Sequence, residues 1–425
     1  MSRRWTALAA GAVVAALVTA LPGPAHAAAP SGALDPTFAA APTDFAAAFD
    51  FGDAVVPVTG GSAVVAGRAG SADFGPGDFG LVKYSPDGTL DPTFGTGGRV
   101  VTDLSGSEDQ ATAAIAQPGG KIVVAGTTVD ATGDANFGVA RYTADGALDT
   151  TFGGGDGFVT TNVLGHDEAT SAAITRDGRI LVAGFTTVDN DGSSIALARY
   201  TADGAPDTTF GGDGTVTTSV NGNEHANTVA LAPGGRFYVG GYTTSDAGGF
   251  DIALLAYLED GTPDTSFDGD GVVTTPVTGD DREEITALVV QADVVTAAID
   301  RESMGAQQAL LLARFQWDGT ADPSFDGDGW VTGTAGTGSG AVALVTAGTD
   351  LLVGTSDWKL VRYDRYGALR TGFGTGGVLT TDLPGEPDQL AALAWGRDGR
   401  LYAAGTAIPP GDTLTDFAAT RYRIR

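Results

Sequence analysis

One pentapeptide returns along the chain at nearly constant spacing, and such a repeat constrains the fold more than any other feature of the sequence. LDPTF at 34–38 comes back as LDPTF at 90–94, LDTTF at 148–152, PDTTF at 206–210, PDTSF at 263–267, ADPSF at 321–325 and, degraded, LRTGF at 369–373. Its phenylalanines are separated by 56, 58, 58, 57, 58 and 48 residues. A second series keeps the same phase: Tyr84, Tyr142, Tyr200, Tyr257, Phe315, Tyr363 and Tyr422 each end a short apolar run. Two series of seven rungs in step specify tandem units that bury apolar surface by packing on one another.

Each unit carries the same signals in the same order. A Gly-rich turn (FGTGG, FGGDG, FDGDG) follows the phenylalanine, then a short strand such as 99–102 and a polar, acidic loop. Next come an alternating small and apolar stretch (111–116), a Gly turn, a second apolar stretch (121–126), a long loop and a last strand (137–142). Runs of β-branched and aromatic residues bounded by Gly and Asp are strand signals. Beyond the N-terminal segment no window shows a helical apolar period. The 65 glycines recur at fixed places in a chain that is 42% apolar, as turn glycines of an ordered β protein do.

Four strands per unit, seven times over, predict an all-β fold, a seven-bladed β-propeller of about 58-residue repeats. An open β-solenoid is the alternative, and it needs atypical capping repeats at both ends. The first copy starts on a full LDPTF and the last ends on a full Arg-Tyr strand, which favours closure. Closure predicts that the chain ends meet, with Arg421 beside Asp35 in an exposed pair worth at most about 1 kcal/mol. Three copies depart from the pattern. The first has Ala39–Pro42 in place of the Gly turn, the sixth is short between Gly354 and Trp358, and the seventh has Arg370 where the others have Asp. The short connection predicts a notch bordered by Trp358 and the loops 299–308 and 408–414.

The pattern LDxTFGxxG…VAG…ALARYxxDG resembles the delta-60 repeat of bacterial exported proteins, and the resemblance runs over residues 34–425. It implies a β-propeller and export. It brings no activity and no catalytic residues with it.

The N-terminus reads as an export signal. Arg3 and Arg4 precede an apolar run from Ala7 to Leu21, and Ala25-His26-Ala27 is a small-residue cleavage site. Residues 1–27 are therefore expected to be a signal peptide and 28–425 a single seven-repeat domain. The arginine pair also fits a twin-arginine signal, although the bulky residue usual two places later is missing. The apolar run is too short and too rich in Ala to span a membrane comfortably, and no second stretch of spanning length follows. The expected location is extracellular or cell-envelope associated.

Net charge is −29, and losing Arg3 and Arg4 with no acids takes the mature chain to −31. So acidic a surface repels nucleic acid and anionic lipid. Without cysteine there are no disulfides and no thiol chemistry.

Residues that carry chemistry are scarce. His166 and His225 are the only histidines after the signal, and both fall in polar loops where solvated side chains are expected. There is no HExxH, no GxSxG and no Lys-bearing phosphate loop. Catalytic and cofactor residues are accordingly assigned to none. The turns DGDG at 268–271 and 326–329 alternate carboxylates with Gly, as calcium loops do. Asp264, Asp268 and Asp270 in one unit and Asp322, Asp326 and Asp328 in the next form the candidate calcium ligands. The competing reading is that these aspartates shape turns by bonding to backbone N–H groups.

A structural pairing is better supported. Arg141 precedes Asp149 by eight residues, as Lys83 does Asp91, Arg199 Asp207 and Arg314 Asp322, with an xDG turn between that folds the chain back. The pattern breaks at Ala256 with Asp264 and at Arg362 with Arg370. Strand parity then places two sets of loops on one face. They hold Glu108, Asp109, Asp130, Asp134, Asp167, Glu168, Asp189, Asp191, Asp280, Asp281, Glu283, Glu284, Glu386 and Asp388, an acidic rim. The expected function is a secreted binding scaffold whose partner is an extracellular protein, a carbohydrate or a cation. The alternatives are a propeller hydrolase or lyase acting on an extracellular carbohydrate or lactone, and a cell-envelope structural protein.

Overall fold

The computed structural model describes residues 32–45, 49–70, 77–188, 192–244, 249–275, 282–302, 309–333, 339–383 and 389–424. The expected signal peptide, and Asp189, Asp191, Asp280, Asp281, Glu386 and Asp388 of the rim, lie outside the described residues.

Four-stranded antiparallel meanders repeat along the chain. In one of them Asp109–Ala116, Ile122–Val129, Ala135–Tyr142 and Phe158–Thr161 pair in that order. Among the described residues five sheets have four strands. A sixth has eight, made of two such meanders joined by the single parallel pair Phe250–Arg282. The phase differs from the sequence reading, which placed Arg99–Thr102 at the start of a unit. That strand pairs with Asp78–Tyr84, so it is the outer edge of the sheet before it. The reason is local. The xDG turn and the LDxTF motif reverse the chain beside its own last strand. Asp149 N–H then bonds to Arg141 O (2.8 Å) and Arg141 N–H to Gly157 O (2.9 Å).

The first strand of each meander contacts the first strand of the next. The order of contact is Phe51–Pro57, Asp109–Ala116, His166–Ile174, Glu224–Leu231, Arg282–Gln291, Ala341–Ala347, Gln389–Trp395 and back to Phe51–Pro57. The return contact makes the arrangement a closed ring and excludes the open solenoid. The short strand Ala33–Leu34 completes the last sheet, with Leu34 opposite Tyr422 and Ala33 opposite Arg423. The bonded pair Thr43–Phe417 extends that edge. Ala39–Pro42 thus replaces a turn of the closing edge, which explains why the first copy lacks the Gly motif.

The core lies between neighbouring sheets. Phe79, Leu81 and Phe94 from one sheet pack with Ala111, Ala114 and Tyr142 of the next. Both faces of each sheet are covered, so the inner strands read as continuous small and apolar runs instead of alternating with polar residues. Every inner strand has a register slip, as between Ala111 and Ala113 or Ala169 and Ser171. At the slip a carbonyl turns toward the VAG glycine of the next strand. A Cβ on Gly126 would lie 2.0 Å from Gln110 O, and one on Gly184 1.9 Å from Glu168 O. Steric exclusion at these bulges accounts for the Gly of that motif, while Ile299 and Thr355 hold the same register place in two other meanders.

Trp358 corrects another expectation. It is fully buried in the core with Leu390 and Leu393, so the short sixth connection seats an aromatic plug where a notch was expected. Its backbone holds φ +54° while its N–H bonds to Thr355 O (3.1 Å). Residues 303–308, one of the expected borders, lie outside the described residues.

Candidate functional site

The repeated polar residues meet at the seams between sheets. Arg141 Nε donates to Asp149 Oδ2 (2.8 Å), and its other nitrogens donate to Thr151 Oγ1 (2.9 Å) and to Ala202 O in the following repeat (2.7 Å). Arg199 reaches Asp207, Thr209 and Glu259 O in the same way, and Arg314 reaches Asp322, Ser324 and Arg365 O. Each guanidinium lies over the motif phenylalanine, at 4.8 Å from Phe152, 4.7 Å from Phe210 and 4.5 Å from Phe325. The Lys121 ammonium, then the Thr151 and Arg141 groups, hold the Asp149 carboxyl well below the usual carboxylate range.

Both breaks in the Arg–Asp pattern are compensated. Where Ala256 replaces the arginine, Arg236 pairs with Asp264 (3.0 Å) and covers Phe267 (5.4 Å). Arg236 holds the place that Lys121, Arg179 and Arg400 hold elsewhere, each facing a motif aspartate. In the blade with Arg370 that place is taken by Asp350, which bonds both Arg362 (2.9 Å) and Arg370 (3.0 Å). The charges have changed sides and the ion pair survives.

A second seam bond uses the tyrosine series. Tyr142 donates to Thr102 (2.9 Å), Tyr200 to Thr161 (2.7 Å) and Tyr257 to Thr218 (2.8 Å). Tyr84 and Thr43 make the same bond across the closure (2.9 Å).

The candidate calcium aspartates are placed in the seams. Asp264 faces Arg236 and Ser266, and Asp322 faces Arg314 and Ser324. Asp270 and Asp328 each accept the N–H two residues on, from Val272 and Trp330 (2.9 Å each). Asp268 and Asp326 adopt φ +49° and +50°, the conformation of Gly95, Gly153 and Gly211 at equivalent places. There the N–H crosses the seam, from Asp268 to Asp318 O (2.8 Å) and from Asp326 to Tyr366 O (2.9 Å).

The two loop sets expected to share a face do meet. Val129 N–H bonds to Glu108 O (2.8 Å), and Ser105 Oγ to Val129 O (2.7 Å). Not all of the rim acids face solvent, however. Asp109, Asp167 and Glu283 are at most 1% exposed. Asp50 and Glu224 hold the same register, two residues before the register slip, and are equally buried. Asp109 accepts Leu104 N–H (2.6 Å) and Ser105 Oγ–H (2.8 Å), Asp50 accepts Phe45 and Gly70 N–H (2.8 Å each), and Glu224 accepts Asn221 N–H. In these five meanders a buried carboxylate thus organises the rim loop before it, while Ser339 holds that register ahead of Ala341. The sequence signal, an acid two residues before the bulge in these five meanders, is visible once the bulge is known. Glu108 and Asp134 are exposed, and Glu168 and Glu284 are half-buried.

The histidines also differ from expectation, since both lie on inner strands. His166 accepts Ala135 N–H (3.3 Å) and stands 3.7 Å from Glu168. His225 is stacked between Phe185 (3.6 Å) and Tyr242 (4.8 Å), and Tyr242 stacks on Phe250 (4.3 Å) beneath Arg282. Burial lowers the His225 pKa to about 4. Desolvation and the charges of Glu284 and Glu168 raise the Tyr242 phenol above its usual range, Arg282 opposing them. Two groups of three carboxylates converge among the described residues, Asp44–Asp50–Asp416 and Asp78–Asp103–Asp109. No helix of the described residues is long and apolar enough to cross a membrane.

Four segments, residues 61–94, 117–152, 175–210 and 233–267, match a family model described as a domain of unknown function (DUF5122) beta-propeller. Each segment ends on a motif phenylalanine. No curated protein matches the chain. Among solved structures the chain is similar to the β-propeller domain of the Trilobed protease from Pyrococcus furiosus, at 9% identity over 88% of this chain and 93% of that one, with a TM-score of 0.44. It is also similar to BamB from Moraxella catarrhalis (14% identity, 87% and 95% covered, TM-score 0.42). The C-terminal WD40 domain of Sif2 is a third such structure (10% identity, 89% and 97% covered, TM-score 0.45). With its repeated four-stranded sheets and its matches to a β-propeller repeat family, the chain is a β-propeller repeat protein.

Proposed function

We propose that this protein is an exported seven-bladed propeller of the delta-60 repeat type that works as a binding scaffold, presenting its acidic loop face to an extracellular partner. One observation carries the reading. The polar residues that recur from repeat to repeat are consumed in seam bonds, as Arg141, Asp149 and Tyr142 are. What varies from blade to blade is gathered in the rim loops, and loops on a rigid frame are where recognition resides. The net charge of −29 favours cationic partners, such as a basic protein segment.

The test is a panel of immobilised cationic peptides and neutral glycans probed with mature protein, run beside chromogenic glycosides and lactones. Saturable, salt-sensitive binding without turnover is expected. Turnover of any substrate overturns the scaffold in favour of an enzyme. The stack of Phe185, His225 and Tyr242 is the observation that favours that second reading, because unlike side chains gather there. Export is checked by the mass of protein recovered from the medium, expected to begin at Ala28. An uncleaved chain confined to the cytoplasm overturns it.

A further inference from the structure

We propose that Asp44, Asp50 and Asp416 form a divalent-cation site, of the oxygen-rich kind that takes calcium, which clamps the closing seam of the ring. Carboxylate oxygens of the three lie within 4.8 Å of one another. Two come from the segment that enters the first sheet and one from the last strand, Asp416–Arg423. The same seam is held by Asp50 N–H to Thr415 O (2.8 Å) and Thr43 N–H to Phe417 O (2.9 Å).

The state of Asp416 points to a ligand. It is 5% exposed, and among the described residues no hydrogen-bond donor reaches its carboxylate. The neighbouring Thr415 hydroxyl oxygen is likewise buried without a partner. Arg99 is the cation that opposes the Asp416 charge, and its Nε is engaged by Asp44 O (3.0 Å), while Arg68 opposes that of Asp50. A buried carboxylate that is neither paired nor hydrogen-bonded is costly, and two more acids beside it raise that cost. Asp50 accepts one N–H on each oxygen and keeps lone pairs for a metal. Asp44 is exposed and provides a way in. Three carboxylates offer three to six oxygens of the six to eight that calcium takes, and water at the open side completes the shell. The second trio lacks this character, because Asp103 accepts Ser105 N–H (3.1 Å) and Gly106 N–H (2.5 Å), and Asp109 is bonded to its own loop.

The site is independent of what the rim binds. Its test is calorimetric titration of calcium into chelator-treated mature protein, with melting followed in parallel. One ion per chain and a melting temperature several degrees higher at millimolar calcium are expected. Asp416→Asn and Asp44→Asn are each expected to weaken binding about tenfold or more by removing ligand charge. Asp416→Asn also melts no lower than wild type without calcium, since it removes a repelled charge, and this shows that the variant folds. An Asp268→Asn, Asp326→Asn double variant is expected to respond as wild type does. Absence of heat and of any melting shift in wild type overturns the proposal. So does a response that survives both single substitutions, or one that disappears in the turn double variant.

Discussion

Asp35 and Arg421 stand 386 residues apart in sequence and are joined by a hydrogen-bonded ion pair of 2.9 Å, with each residue only 2% exposed. Arg421 also donates to Thr37 (3.0 Å) and lies 4.9 Å from the Phe38 ring, so the chain ends rebuild the seam found between internal repeats. The contact agrees with the sequence expectation, but its burial does not. Burial opposes ionisation of Asp35, and the Thr37 hydrogen bonds with the Arg423 and Arg421 charges outweigh it, holding the carboxyl below its usual range. Removing Asp35 strands the buried Arg421 guanidinium, which costs about 3–5 kcal/mol against about 1 for an exposed pair, whereas removing Arg421 leaves Asp35 paired with Arg400 (2.9 Å) and Arg423 (2.6 Å). Asp35→Ala is expected to lower stability by about 3 kcal/mol, Arg421→Ala by less because Arg400 and Arg423 still hold Asp35, and the double variant by clearly less than their sum. Urea unfolding measures all three.

The exchanged charges at Asp350 and Arg370 predict a rescue. Asp350→Lys places three cations together and is expected to cost about 3 kcal/mol or more. Adding Arg370→Asp restores the arrangement of Lys121 with Asp149 and is expected to recover most of the loss. Melting temperatures of the two variants decide it. Equal instability would show that Asp350 serves only Arg362.

Asp268 and Asp326 hold a left-handed backbone that Gly holds at equivalent turns. A side chain there costs about 1 kcal/mol, somewhat less for Asp. Asp268→Gly with Asp326→Gly is therefore expected to raise the melting temperature by about 2 °C, while either aspartate replaced by Val lowers it. Thermal unfolding in chelator checks this without interference from metal.

Asp53 gives a pH dependence. It sits at the slip of the first inner strand, where Thr112 and Thr170 donate to the next inner strand, at Ala169 O (2.9 Å) and Ala226 O (2.8 Å). An acid repeats that bond only when protonated. Desolvation raises its pKa to about 7, opposed by a Gln110 hydrogen bond and the Arg68 charge. A carboxyl whose folded pKa exceeds its unfolded value near 3.8 contributes stability that is complete below pH 4 and lost as pH rises through about 7. Asp53→Asn keeps a donor at every pH. It is expected to flatten the stability profile between pH 4 and 7 and to melt a few degrees above wild type at pH 8. An unchanged slope would mean that Asp53 is ionised throughout.

Much of this protein is written in local sequence. The all-β class, the strands, the turn glycines and the pairing of Arg141 with Asp149 follow from short-range pattern, because an xDG turn returns the chain on itself within eight residues. Closure was also legible, since Arg421 lacks a following Asp and Asp35 a preceding Arg. Tertiary structure decided the rest. A repeat has no intrinsic starting point, so only strand pairing shows that 99–102 belongs to the sheet before it. Whether an acid is a rim charge or a buried loop anchor depends on the bulge that turns it inward, as with Asp109 and Glu108. The stacking of His225 on Phe185 and the meeting of Asp44 with Asp416 join residues from different repeats. Sequence periodicity describes a unit and its own neighbours in the chain. Side chains brought together across a closed ring depend on packing distances that no single unit contains.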